Sequence, residues 1–302
     1  MIKKITQAFT FIALIVLATY AYNFYQNNRQ TNRPDHDEIN QALDKSIAWL
    51  QSNRNEIEGT QNPALWWMLK ESSDIAGKPE LSEIYRSYKN NYLDKSPDNI
   101  WTPFLKRYYK PNIPDMAVLQ KLYDYQVFFA YALSCDDDLG SEPVIQKQLD
   151  SDFCTFHYIH PRCVTHQQMA VRLMLERDCG DKETLSRLSE ALTDIIRSEL
   201  VWDFRVGDAY LQRALLLAES GKIDEIKPVW IKRIIDAQNP DGGWDDIHPI
   251  IRIGDSALGY SSLYLVFRET KSDFHATAQG IWLMSLLLNQ HKTTAPTISN
   301  DQ

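Results

Sequence analysis

The chain has 302 residues, 44% hydrophobic and 24% charged, enough to build a sizeable apolar core. Net charge is −8 and no Lys/Arg cluster stands out beyond the first few residues, which argues against nucleic acid as a partner. Length alone admits one large domain or two ordinary ones.

In chain order, Lys3 and Lys4 precede a mostly apolar run from Ile5 to Tyr22 with FIALIVLA at its centre. Two lysines before an apolar stretch have the form of a secretory n-region and h-region. The best small-residue cleavage site, Thr19-Tyr20-Ala21, is a poor one. Residues 1–25 are therefore expected to form an uncleaved signal anchor, a single transmembrane helix in a bacterial inner membrane, with the lysines cytoplasmic and the following domain in the periplasm. A cleaved signal peptide and a buried N-terminal helix are the alternatives. Residues 26–37 (QNNRQTNRPDHD) read as a polar linker, and 291–302 as a disordered tail. Cys135, Cys154, Cys163 and Cys179 suit one or two disulfides in an oxidising compartment, with three possible pairings.

From 38 to 290 nearly every segment has helical periodicity, and no long run alternates with period two. Segments 39–53, 80–93, 183–199 and 224–238 are amphipathic and charged. Segments 62–73, 117–134, 164–177, 207–219, 256–269 and 275–289 are apolar over most of their circumference, which implies burial on more than one side. Gly140, Gly180 and Gly221 look like helix C′ caps about 40 residues apart, and Asp124, His166 and Asp208, each at a helix start, are 42 apart. FRVGDA (204–209) is echoed by IRIGDS (251–256). The expectation is an all-α fold in two concentric layers of about 11–12 helices.

QNPDGGW (238–244) closes an amphipathic helix, with an apolar one to follow. This order resembles the repeat of the α/α toroids, the squalene–hopene type terpene cyclases and the protein prenyltransferase β-subunits. The resemblance implies an α/α barrel, with the Gln capping an outer helix and the Gly-Trp turn packed on the neighbouring hairpin. HATAQGIWLMSLLL (275–288) is similar to the inner-helix pattern of these families.

In such a barrel the inner-helix starts converge on a cavity. That brings forward His166, Asp208, His275, Asp124 and Asp255, with Arg205 and Arg252 three residues before two of the aspartates. Of 256–269 and 275–289 only one is an inner helix: strict alternation chooses the first and with it Asp255, whereas apolar character and the family resemblance choose the second and with it His275. His166, Asp208 and His275 suit a divalent metal such as zinc, as in the prenyltransferases, although the Asp-x-Cys pair of those enzymes is replaced here by Asp208-Ala209-Tyr210. The plain alternative makes Asp208 and Asp255 helix N-caps. CTFHYIHPRCVTH offers Cys154, His157 and Cys163 as another ligand set, against a Cys154–Cys163 disulfide. CDDD (135–138) lacks the leading Asp of the cyclase acid motif, so cyclase activity is not expected. Trp66, Trp67, Trp101, Trp202, Trp244 and Trp282 would fill a core or line a cavity. Two functions stay open: a metal-assisted or acid–base hydrolase or lyase acting on a glycan, peptide or lipid-linked substrate, and a non-catalytic module binding a lipid or partner segment.

Overall fold

The computed structural model describes residues 2–95, 99–154, 163–261 and 264–294. Its helices are α1 (Ile2–Asn28), α2 (His36–Ser52), α3 (Arg54–Glu58), α4 (Pro63–Ala76), α5 (Pro79–Tyr88), α6 (Met116–Leu119), α7 (Asp124–Ser134), α8 (Asp137–Gly140), α9 (Pro143–Gln148), α10 (Cys163–Glu176), α11 (Lys182–Trp202), α12 (Asp208–Glu219), α13 (Pro228–Asp236) and α14 (Phe274–Thr294). Between α13 and α14 lie three strands, β1 (His248–Ile253), β2 (Ser256–Tyr260) and β3 (Leu265–Glu269).

Local chemistry sets many of these boundaries. Asp35 and Glu38 form a reciprocal capping box at the start of α2. Asn62 caps α4 with Pro63 behind it, and Asp181 caps α11. Gly180 and Gly221 sit at positive φ after α10 and α12, whereas α7 ends on Cys135, itself left-handed, and Gly140 belongs to α8.

Helix α12 is buried from Asp208 to Ala218, and α14 is buried along most of its length, packing on α4, α12 and α2. The sequence α4–α14–α12–α10–α7 is a row of neighbours, and the 3₁₀ turn Thr102–Phe104 touches both α7 and α4. Aromatic rings close that gap: Phe104 lies 5.3 Å from Trp67 and 6.0 Å from Phe129, and Trp67 meets Trp282 edge-on at 4.9 Å. Trp66, Trp67, Trp244 and Trp282 are core residues, while Trp202 is half exposed. The amphipathic helix α11 packs on this row through Leu185, Leu188, Leu192, Ile196 and Leu200.

Two expectations fail. The fold is not all-α, so the double-layer barrel built only of helices does not describe it: residues 256–269, read as a buried helix, form β2 and β3 of an antiparallel sheet ordered β1-β2-β3. The cause is local. Gly254 and Asp255 are a two-residue hairpin turn with Gly254 at φ +60, and β-branched and aromatic residues flank it.

The N-terminal anchor fails as well. Among the described residues no helix is long and apolar enough to cross a membrane. In α1 the apolar stretch Phe11–Ala18 is bounded by Thr6, Gln7 and Thr10 on one side and Tyr20, Tyr22 and Asn23 on the other, short of the roughly 20 residues a spanning helix needs. The single-pass placement in an inner membrane, the membrane as partner and the periplasmic orientation derived from it fall with this helix. The end of α1 docks on the body instead. Asn27 is fully buried, donates to the Leu200 carbonyl at 2.7 Å and accepts from the Tyr210 hydroxyl at 2.8 Å, and Trp230 donates to its carbonyl. The expected linker thus begins inside the packed structure. Of the expected tail, 291–302, residues 295–302 lie outside the described residues, and 291–294 continue α14.

Candidate functional site

The turn 238–244 organises the site. Gly242, at φ +97, presses on the Lys45 backbone of α2, where a side chain would collide. Gln238 donates to the carbonyls of Ala42 and Gly242, both at 2.8 Å, tying the turn to α2. The Trp244 indole, buried against Gly280 of α14, donates to the Ile234 carbonyl at 2.8 Å. Its backbone N–H takes the Thr277 hydroxyl at 3.0 Å, and its carbonyl accepts from the Asp273 N–H at 2.9 Å. These bonds pin the chain after Trp244 to the start of α14, so Asp245 and Asp246 face Asp273.

Asp245, Asp246 and Asp273 each offer a carboxylate oxygen within 4.8 Å of the others, an arrangement that could hold a metal ion. One Nη of Arg268, from β3, donates to Asp245 at 2.6 Å and also to Asp246. Asp245 further accepts from the backbone amides of Lys271 and Ile247. Burial pushes the Asp245 carboxyl up to about 6, with the neighbouring Asp246 adding to the rise and Arg268 opposing it. Asp273 caps α14 through Oδ1, which accepts from the Ala276 N–H at 2.9 Å, while its Oδ2 is buried with no hydrogen-bond partner. Burial, then the charges of Asp246 and Asp208, raise Asp273 to about 6.

Asp208 opens α12 and is 3% exposed. Its Oδ1 accepts the Ala209 N–H at 2.7 Å, and Oδ2 lies 3.7 Å from His275 Nδ1. The Gln279 amide nitrogen lies 3.0 Å from His275 Nε2, on the side of the ring away from Asp208. Gly207 lets α12 start against the Asp246 backbone, where a Cβ would come within 2.8 Å of the Asp246 carbonyl. A crevice of about 10 Å³, the size of one solvent molecule, lies among Asp208, Asp246, His248 and Arg205.

The other candidates lie elsewhere. His166 stacks on Tyr125 at 4.4 Å with Phe129 edge-on, an aromatic setting between α10 and α7. His166, Asp208 and His275 therefore do not form the expected ligand set: among the described residues only Asp245, Asp246 and Asp273 group closely enough. Asp124 begins α7, where its carbonyl accepts from Gln148. Asp255 is in the β1–β2 turn and is neither a helix cap nor a cavity residue. Arg205 is consumed by Asp203 in a two-pronged pair at 2.7 and 2.8 Å. Arg252, exposed on β1, lines a separate cavity of about 320 Å³ that also has Asp245 on its wall.

Cys154 and Cys163 are disulfide-bonded, as are Cys135 and Cys179. A disulfide sulfur offers no thiolate, so the alternative set Cys154, His157 and Cys163 loses two of its ligands. His157 lies outside the described residues.

Sequence reasoning passed over Asp245, Asp246, Asp273 and Arg268. The signal for the first two stands directly after the quoted turn, as DGGWDD, and Asp273 precedes an apolar helix in the manner of an N-cap. No family model matches the chain, nor does any curated protein or solved structure, so nothing in these comparisons ties it to the α/α toroids.

Proposed function

We propose that the chain is an enzyme working by proton transfer, a hydrolase or lyase, with Asp273 as the group that carries the proton and the Asp208–His275 pair beside it. The observation that supports this reading is Asp273 itself: a carboxyl with one oxygen buried and unbonded, raised to about 6, at the junction of two helix starts. A carboxyl poised there exchanges a proton readily near neutral pH. His275 lies between Gln279 and Asp208, and the Asp208 carboxylate would offset the charge of the protonated ring. The cavity of about 320 Å³ reaches this group only at Asp245, which stands on its wall; Asp208, Asp273 and His275 do not line it.

The close grouping of Asp245, Asp246 and Asp273 favours a second reading, in which a divalent cation takes the place of the proton. An all-oxygen set suits Mg²⁺, Ca²⁺ or Mn²⁺ better than zinc, which would need His275 to turn inward. Arg268 already pairs with two of the three carboxylates through one nitrogen, so a cation would have to displace it.

The test is a panel of chromogenic esters, glycosides and phosphoesters, assayed with and without each cation, beside carboxyl titration by ¹³C NMR. Turnover with a limb near pH 6, abolished in Asp273→Asn and His275→Gln, is the expected result. Turnover indifferent to both substitutions, or an Asp273 that titrates in the ordinary carboxylate range, would overturn proton transfer here. Cation-dependent turnover lost in Asp245→Asn selects the second reading.

A further inference from the structure

The cavity of about 320 Å³ lies between the end of α1, α13 and β1. Four cationic side chains line it, Arg29, Lys232, Arg233 and Arg252, against the carboxylates of Asp236 and Asp245. Both carboxylates are already committed, Asp236 to Lys232 and Asp245 to Arg268. Three guanidiniums from three parts of the chain are left with no carboxylate partner among the described residues. Arg252 reaches only the Thr270 hydroxyl, at 3.4 Å, and Arg29 is exposed just past α1. Arg233 is deeper: one Nη donates to the Phe204 carbonyl at 2.6 Å, while its Nε is buried without a partner. The remaining Arg233 Nη groups, on a residue that lines the cavity, are the donors an entering anion would meet. Val206, Leu211 and Val229 make part of the remaining wall apolar, beside polar residues such as Asn239 and His248.

We propose that this cavity binds a small organic oxyanion, a phosphate or carboxylate on an apolar or aromatic body, with Arg233 at its floor and Arg29 and Arg252 at its rim. Planar guanidiniums match the two-oxygen edge of such a group, and the apolar wall accommodates its body. Calling this ligand the substrate rests on the reading above. Its binding does not, because the arginines form the site without Asp273 or His275.

The experiment is calorimetric titration of the full chain with phenyl phosphate, benzoate and neutral benzyl alcohol, at low and high salt. One or both anions should bind at least about tenfold more tightly than the alcohol, and more weakly as salt rises. The tighter anion names the head group, and inorganic phosphate should displace phenyl phosphate if that is the one. Arg233→Gln and Arg252→Gln should each weaken the anion by about tenfold, as expected for a lost charged hydrogen bond. Should Arg233→Gln fail to fold, the surface variants Arg252→Gln and Arg29→Gln decide. Failure of both anions to bind, equal binding of the alcohol, or affinity unchanged in both surface variants would overturn the proposal. Asp273→Asn should bind the anion like the wild type: an inert variant that still binds leaves both readings standing, and a wild type that turns over without binding an anion removes this one alone.

Discussion

Two groups of charge meet near the start of α12. In the first, Arg213, 2% exposed, donates to Glu199 at 2.7 Å and to Asp203 at 2.9 Å, and Arg205 completes Asp203 with two further bonds. Two cations meet two anions, and every charge has an opposite neighbour. In the second, Asp208, Asp245, Asp246 and Asp273 gather around Arg268 and His275, and one oxygen of Asp273 bonds nothing. Acids exceed bases there, and burial is not offset. Glu199 of the first group is itself raised by burial despite Arg213, but the two aspartates part ways. Burial would push Asp203 up, but its bonds to Arg205 and the charge of Arg213 outweigh that and hold it at about 2, whereas Asp273 rises to about 6. Balanced buried charge makes a strut, and unbalanced buried charge makes a group ready to exchange a proton.

The widest break of this contrast is Arg213→Met. It leaves Glu199 and Asp203 without their buried partner, and denaturant titration should show a loss of about 3–5 kcal/mol. A loss below about 1 kcal/mol would mean the network is not a strut.

The next test uses pH. An Asp with a folded-state value above its unfolded one binds its proton more tightly when folded, so its contribution is complete below about pH 4 and is lost as pH rises to about 6. Raising Asp273 from 3.8 to about 6 corresponds to about 3 kcal/mol of lost stability above pH 6. Asp273→Asn should therefore be more stable than the wild type at pH 8, by about 2 kcal/mol once imperfect amide geometry is allowed for, and should be inactive. Asp203 has the opposite sign: its contribution is present above about 3.8 and lost as pH falls towards 2. Asp245, also raised to about 6, adds to the loss from Asp273, and His248, held at about 4, opposes it. The diagnostic is therefore the difference between wild type and Asp273→Asn: a difference that does not change between pH 4 and 6 would contradict the assignment of Asp273.

Arg205→Lys probes the first group more gently. It replaces a two-pronged pair with a single point charge, and a loss of about 1 kcal/mol is expected, with Arg213 still holding Asp203. Asp255→Asn, in the exposed hairpin turn, should change stability by less than about 0.5 kcal/mol and leave turnover and anion binding untouched. A marked effect would return Asp255 to the site.

How much of this was legible beforehand varies by element. Helix α11 could be read from its stripe of leucines and isoleucines, and α12 and α14 from their apolar character, because packing periodicity is written locally. The strands were missed although IRIGDSALGY carries its turn in plain view: Gly-Asp after the isoleucine-rich PIIRI is a hairpin signal, and the echo with FRVGDA, which does open a helix, masked it. His275 and Asp208 were singled out and lie 3.7 Å apart, but His166 was not distinguishable from them, since a histidine near a helix start looks the same whether it meets an acid or a tyrosine ring.

By itself the sequence determined the turn at 238–244, the caps at Asp35, Asn62 and Asp181, and the apolar faces of the long helices. Each depends on residues within one or two turns of chain, where propensity and hydrogen-bond chemistry act directly. Only the tertiary structure decided which charges would be satisfied. Asp203 and Asp273 are the same residue type, and both are largely withdrawn from solvent. Arg205 and Arg213 reach the first, while the second is closed in by the packing of Trp244 on α14 and of Gly207 on Asp246. Burial and partner supply come from contacts far apart in sequence, and these are what hold one aspartate at about 2 and raise the other to about 6.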